Sequence, residues 1–247
     1  MQQQHPPPHC TPPSSAVPEE TPDVFLTLFS EWYGVPPHWR RLFDVKGQAF
    51  EDLWTTLWFA KGQLTAPLDA RLRLKYSSAF CMVEPYCVCG APAPPASLPP
   101  TFRKMWTIGV VILCDQISRN IFRGSARAYA TDALARRLIA PLLEEFDSLP
   151  VAVRVSLVLV LIHSEDMADW PLAPAPGGGS VDVVAEHLAR VKPQLENDCD
   201  FVFQSLRRIA NNHRDRMRLF GRVPERNTFL GRQSSEQELA FMAAMDG

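Results

Sequence analysis

Apolar residues recur at intervals of three and four through most of this 247-residue chain, and no segment shows a clear alternation with period two. A helix brings side chains back to one face every three to four residues, a strand every second one, so the pattern admits helices and argues against a sheet-based core. DVFLTLFSEWYG offers Asp23 as an N-cap and stops at Gly34, ahead of the Pro36–Pro37 pair. Phe50, Leu53, Trp54, Leu57 and Trp58 mark a second helix from about Gln48 to Lys61, and Leu68, Leu72, Tyr76 and Phe80 a third after Pro67. Further helices are expected from Phe102 through Ile117 and from a cap near Thr131–Asp132 to Phe146. The run from Pro150 to Ile162 is rich in β-branched residues, which also permits a strand, but its length and helical neighbours favour a buried helix. A helix from Val181 is broken or kinked at Pro193, and another follows from about Glu196 to Phe220. A last one starts after Ser234, where Ser235 and Glu238 form a capping box.

Proline and glycine set the punctuation. PYCVCGAPAPPASLPP (85–100) and PLAPAPGGGS (171–180) cannot continue a helix and read as two loop insertions. Residues 1–22 are Pro- and Gln-rich and predict a disordered tail, leaving 23–247 as one helical domain. Paired helices joined by short turns suit a helical-hairpin array, although no internal repeat of fixed period is visible.

Several function classes fall away on charge and cysteine usage. A formal charge of −2 gives no global attraction to nucleic acid or anionic lipid, and the longest apolar run is too short to cross a bilayer. The eight Arg opposing two acids between Arg207 and Arg232 make only a local basic patch, without interleaved aromatics for base stacking. The six cysteines lack the paired spacing of a zinc site and read as reduced thiols in the cytoplasm, so neither metal nor cofactor is expected. No phosphate-binding glycine loop or nucleophile elbow is present.

Three stretches place polar residues beside buried-looking helical ones. In LCDQISRNIFRG, Asp115 and Arg119 share a helix face, with Asn120 and Arg123 on the adjacent row. In LIHSEDMADW, His163, Glu165 and Asp166 close an apolar helix. In NNHRDRMRLFGRVPERNTFLGR, His213 and Asp215 stand among Arg222, Arg226, Asn227 and Arg232. Singly, each has a structural explanation as a helix ion pair, a dipole-complementing His or a loop-fixing Arg. Together they call for partners, because a buried charge must be paired. His163, Asp166, His213 and Asp215 are the candidates for proton transfer; Asp115, Arg119, Asn120, Arg123, Glu165, Arg222, Arg226, Asn227 and Arg232 are the candidates for ligand contact.

LCDQISRNIFRGSARAYATDALA (113–135), HSEDMAD (163–169) and HRDRMRLFGRVPERNTFLGRQSSEQELAF (213–241), with the weaker WFAKG at 58–62, resemble the bacterial-type domain-of-unknown-function family 924. The resemblance implies an all-α, tetratricopeptide-like fold and a shared site, with no established reaction. Two departures stand out. Glu225 lies between Pro224 and Arg226 where the family usually has His, and Ile117 follows Asp115–Gln116 where the family has an aromatic.

Two functional classes follow. One is a site, binding or catalytic, for a small anionic ligand clamped by Arg with His as proton carrier. The other is a tetratricopeptide-like scaffold whose Arg side chains read a protein partner or acidic peptide.

Overall fold

The computed structural model describes residues 23–170 and 182–245, and no strand occurs among them. The expected 1–22 tail and the second insertion lie outside the described residues. The helices are α1 (Val24–Tyr33), α2 (Gly47–Leu53), α3 (Thr65–Val83), α4 (Pro100–Ile112), α5 (Ser118–Ile121), α6 (Asp132–Glu144), α7 (Val151–His163), α8 (Val183–Asp198), α9 (Asp200–Phe220) and α10 (Glu236–Met245). The protein is all-α. None of these helices is long and apolar enough to cross a membrane.

The architecture is organised around α7, every residue of which is buried. A helix apolar on all sides must be surrounded, and α6, α8 and α9 pack against it. The strand alternative for this segment is thereby excluded. α1 lies across α4, and α3 packs on α5. Asp23 ties the first of these pairs together. Its Oδ1 accepts from the amides of Phe25 (2.8 Å) and Leu26 (3.2 Å), capping α1, while its Oδ2 accepts from Trp106 Nε1 on α4 at 3.0 Å.

Several boundaries differ from the sequence expectation for local reasons. Pro193 does not break α8; the interruption comes at Cys199, which separates α8 from α9. Thr131 precedes α6 without a side-chain cap, because its hydroxyl donates instead to the Cys114 carbonyl at 2.6 Å. The capping box of α10 forms as expected: the Ser235 amide donates to Glu238 Oε2 (2.7 Å) and the Glu238 amide to Ser235 Oγ (3.2 Å).

The departure that matters for the site lies between α4 and α5. The chain stays helical through Leu113–Ile117, but in a wider π-helical turn in which the Ser118 amide reaches back to the Leu113 carbonyl. Such a turn inserts one extra residue and releases carbonyls from the normal ladder. Side chains satisfy them. Ser118 Oγ and Thr131 Oγ1 both donate to Cys114 O, and Arg119 donates to Asp115 O. All five residues of the turn are buried, so it carries Asp115 and Gln116 into the interior.

Candidate functional site

Asp115 is 1% exposed, and its two carboxylate oxygens each lie 3.0 Å from Nδ1 of His163, the last residue of α7. Gln116 donates to the same carboxylate, and Arg119 NH1 stands 3.3 Å from Oδ1. Burial opposes the charge, but His163, Arg119 and Gln116 outweigh it and hold the Asp115 carboxyl down at about 2. An ionised carboxylate only accepts, so the His163 Nδ1 must carry the proton and Nε2 is left with its lone pair. Nε2 has no hydrogen-bond partner among the described residues. Burial, then the charge of Arg119, push the imidazole down to about 4 despite Asp115, so His163 is neutral at pH 7.

The network extends outward from Arg119. Its guanidinium grips Asp132, the first residue of α6, through two hydrogen bonds of 3.0 and 2.9 Å. Arg226 joins from the short Pro224–Arg226 helical turn: NH2 donates to the His163 carbonyl (3.0 Å) and NH1 lies 3.4 Å from Asp132 Oδ2. Burial lifts the Asp132 carboxyl to about 6 against the pull of Arg119, with the neighbouring Asp115 charge adding to the lift. Glu165 fastens the loop carrying Arg226, accepting from the Val223 amide at 2.8 Å and from Arg232 at 2.7 and 3.2 Å. Asp115, Asp132 and Glu165 thus face Arg119, Arg226 and Arg232, and opposite charges balance. Tyr129 completes the wall, with the guanidiniums of Arg226 and Arg119 at 4.8 and 5.7 Å from its ring centre.

This cluster opens on a cavity of about 440 Å³ lined by Arg119, Arg123, Tyr129, His163, His213, Arg216, Glu225 and Arg226. His213 projects from α9 with its ring 5.7 Å from that of His163. Its Nδ1 is buried without a partner among the described residues, and burial, followed by the neighbouring His163, drives its basicity well below the ordinary histidine value. A second cavity of about 470 Å³ shares Tyr129 and Arg226 and is faced by Asp132, Ser164, Glu165 and Asp166.

Arg119, His163 and His213, one from each of the three sequence stretches, therefore line one concavity. Arg123 also lines it, held from behind by Asp69 at 2.5 and 3.0 Å, and Asn120 donates to the same carboxylate at 2.9 Å. Glu165, Arg226 and Arg232 belong to the network. Other sequence candidates go elsewhere. Arg222 pairs with Glu238 at 2.7 and 2.8 Å and fastens α10; Asn227 donates to Ser234 at 3.1 Å. Asp166 caps the Ala168 amide (2.9 Å) beside the second cavity, and Asp215 is exposed on α9 with no hydrogen bond among the described residues. Glu225 accepts from Arg216 Nε at 2.6 Å, so the carboxylate in place of a histidine holds an arginine at the cavity wall. Asp132, Tyr129 and Arg216 were not among the sequence candidates, although Arg216 stands in the third polar stretch. Asp132 lies inside the first motif block, and its place beside Thr131 made it read as part of a helix start.

A family model with the description "Bacterial protein of unknown function (DUF924)" matches residues 45–246. No curated protein matches the chain. Among solved structures, a protein of unknown function from Agrobacterium tumefaciens aligns over 78% of this chain and 91% of its own, with 23% identity and a TM-score of 0.49.

Proposed function

This chain belongs to the bacterial protein family of unknown function DUF924, and we propose that the cavity between His163, His213 and Arg226 binds a small anionic molecule and offers it a proton acceptor. The observation that carries this reading is the Asp115–His163 pair, whose Nε2, without a partner among the described residues, belongs to a side chain lining a cavity ringed by Arg119, Arg123, Arg216 and Arg226. At about 440 Å³ the space suits a small molecule. Guanidinium carries five donors, and the internal ion pairs leave part of each fork for a carboxylate or phosphate.

Binding and proton transfer are coupled in this arrangement. After burial, the largest influence lowering His163 is the charge of Arg119, with Arg226 acting in the same direction. An anion placed against those guanidiniums offsets their field and raises the affinity of Nε2 for a proton. A weak base thereby moves toward the range where general-base catalysis is effective.

The expected result is that a panel of small carboxylates and phosphate esters contains a stabilising ligand, raising stability by about 2.7 kcal/mol at one hundred times its dissociation constant. Calorimetry in buffers of different ionisation enthalpy should then show proton uptake on binding, lost in His163→Gln. Absence of any stabilising anion, or undiminished binding in Arg226→Gln, would overturn the proposal.

A tetratricopeptide-like scaffold for an acidic peptide requires these side chains on an open concave face. The burial of Asp115, His163 and Arg226 favours the small ligand. The five described cysteines are free thiols, in keeping with a cytoplasmic setting.

A further inference from the structure

A separate cavity of about 400 Å³ lies between α3 and the turn that follows α5. Arg73, Ser77 and Cys81 line one wall; at successive intervals of four they occupy one face of α3. Phe122, Arg123, Ser125 and Arg127 line the other. Three guanidiniums face the space, and no carboxylate lines it.

Each arginine is held at one edge. Arg73 donates through Nε to the Ile121 carbonyl at 3.0 Å and has no carboxylate partner among the described residues. Arg123 bonds Asp69 through Nε and NH2, and Arg127 bonds Glu84 through the same two nitrogens at 3.2 and 3.1 Å. The NH1 groups of both therefore remain, together with the two terminal nitrogens of Arg73. Arg127 is further fixed over the Phe122 ring, 4.2 Å from its centre. Ser77 and Ser125 now donate to carbonyls of their own turns, at 2.6 and 2.9 Å, and a hydroxyl is free to rotate toward an arriving acceptor. Asp69 and Glu84 offset two of the three positive charges, leaving a net charge of one.

We propose that this cavity is a second anion site, taking a tetrahedral oxyanion such as a phosphate group on Arg73, Arg123 and Arg127. Several fixed donors converging on a small space suit a tetrahedral oxyanion better than a planar carboxylate, which needs only one bidentate fork. The site does not depend on the His163 cavity, although Arg123 lines both.

Cys81 provides a local readout because it is exposed within this cavity, whereas Cys89 is exposed outside it. The test is the alkylation rate of each cysteine, resolved by peptide fragmentation, with inorganic phosphate against chloride at matched ionic strength. Phosphate at ten times its dissociation constant should slow Cys81 about tenfold and leave Cys89 unchanged, as simple occupancy requires. Arg73→Ala, at an exposed position, should abolish the protection without altering the circular dichroism spectrum. Equal rates with millimolar phosphate and chloride, equal slowing of Cys89, or protection persisting in Arg73→Ala would each overturn the assignment. Failure here would leave the His163 reading untouched.

Discussion

Replacing Asp115 with alanine is expected to destabilise the protein by about 3–5 kcal/mol, the usual consequence of removing one member of a buried ion pair. Asp115 receives hydrogen bonds from His163 and Gln116 and lies 3.3 Å from Arg119, and the carboxylate itself is 1% exposed. Its removal leaves the guanidinium of Arg119 with Asp132 as its remaining carboxylate and orphans the His163 Nδ1–H. Folded proteins hold only about 5–15 kcal/mol in reserve, so the loss should be plain as a lowered urea midpoint. Asp115→Asn preserves volume and one acceptor and should cost less. A midpoint unchanged in Asp115→Ala would show that the charge network contributes nothing to stability.

Gly109→Ala should be nearly as damaging, for a reason of geometry alone. Gly109 sits where α4 passes under the start of α1, and a Cβ there would stand 2.2 Å from the Phe25 carbonyl oxygen and 2.9 Å from its carbon. Those are backbone atoms, fixed by the Asp23 cap and by the edge-to-face contact of Phe25 with Trp106 at 4.8 Å. Alanine is the better helix former by about 1 kcal/mol, so on propensity the substitution would stabilise. Displacing a packed helix costs more, about 3 kcal/mol, and the clash should win. Thermal unfolding decides the sign: a lower Tm is expected, and a Tm equal to or above that of the natural chain would mean that α1 moves freely.

Periodicity made most of the helices legible, because each buries a face or, in α7, its whole circumference. Local chemistry was also readable where it closes within a few residues, as in the Asp23 cap and the Ser235–Glu238 box. The break allowed for at Pro193 does not occur, because a proline removes one hydrogen bond from a helix without ending it when packing on both sides persists. The π-helical turn left no mark in the spacing. Its stability rests on Thr131, Ser118 and Arg119 finding the released carbonyls, and the Thr131 contact forms only after α6 has docked. The same turn explains Asp132. Next to Thr131 it looked like part of a helix start, whereas in space it is the bidentate partner of Arg119. Arg222 illustrates the reverse. It shares a sequence stretch with Arg226, yet the turn between them sends it to Glu238 and α10.

His163 is a neutral base, protonated on Nδ1 against Asp115 and without a partner at Nε2 among the described residues. Two-bond proton–nitrogen correlation spectra of the imidazoles, with His163 assigned by its loss in His163→Gln, read both properties at once. The expected spectrum is the Nδ1–H tautomer at neutral pH, persisting on acidification until about pH 4. An unfolded chain takes up this proton below its ordinary value near 6.5, so the stability that the neutral imidazole contributes is lost as pH falls through that interval. An imidazolium at pH 7, or a neutral ring carrying its proton on Nε2, would rule out His163 as a base poised by Asp115.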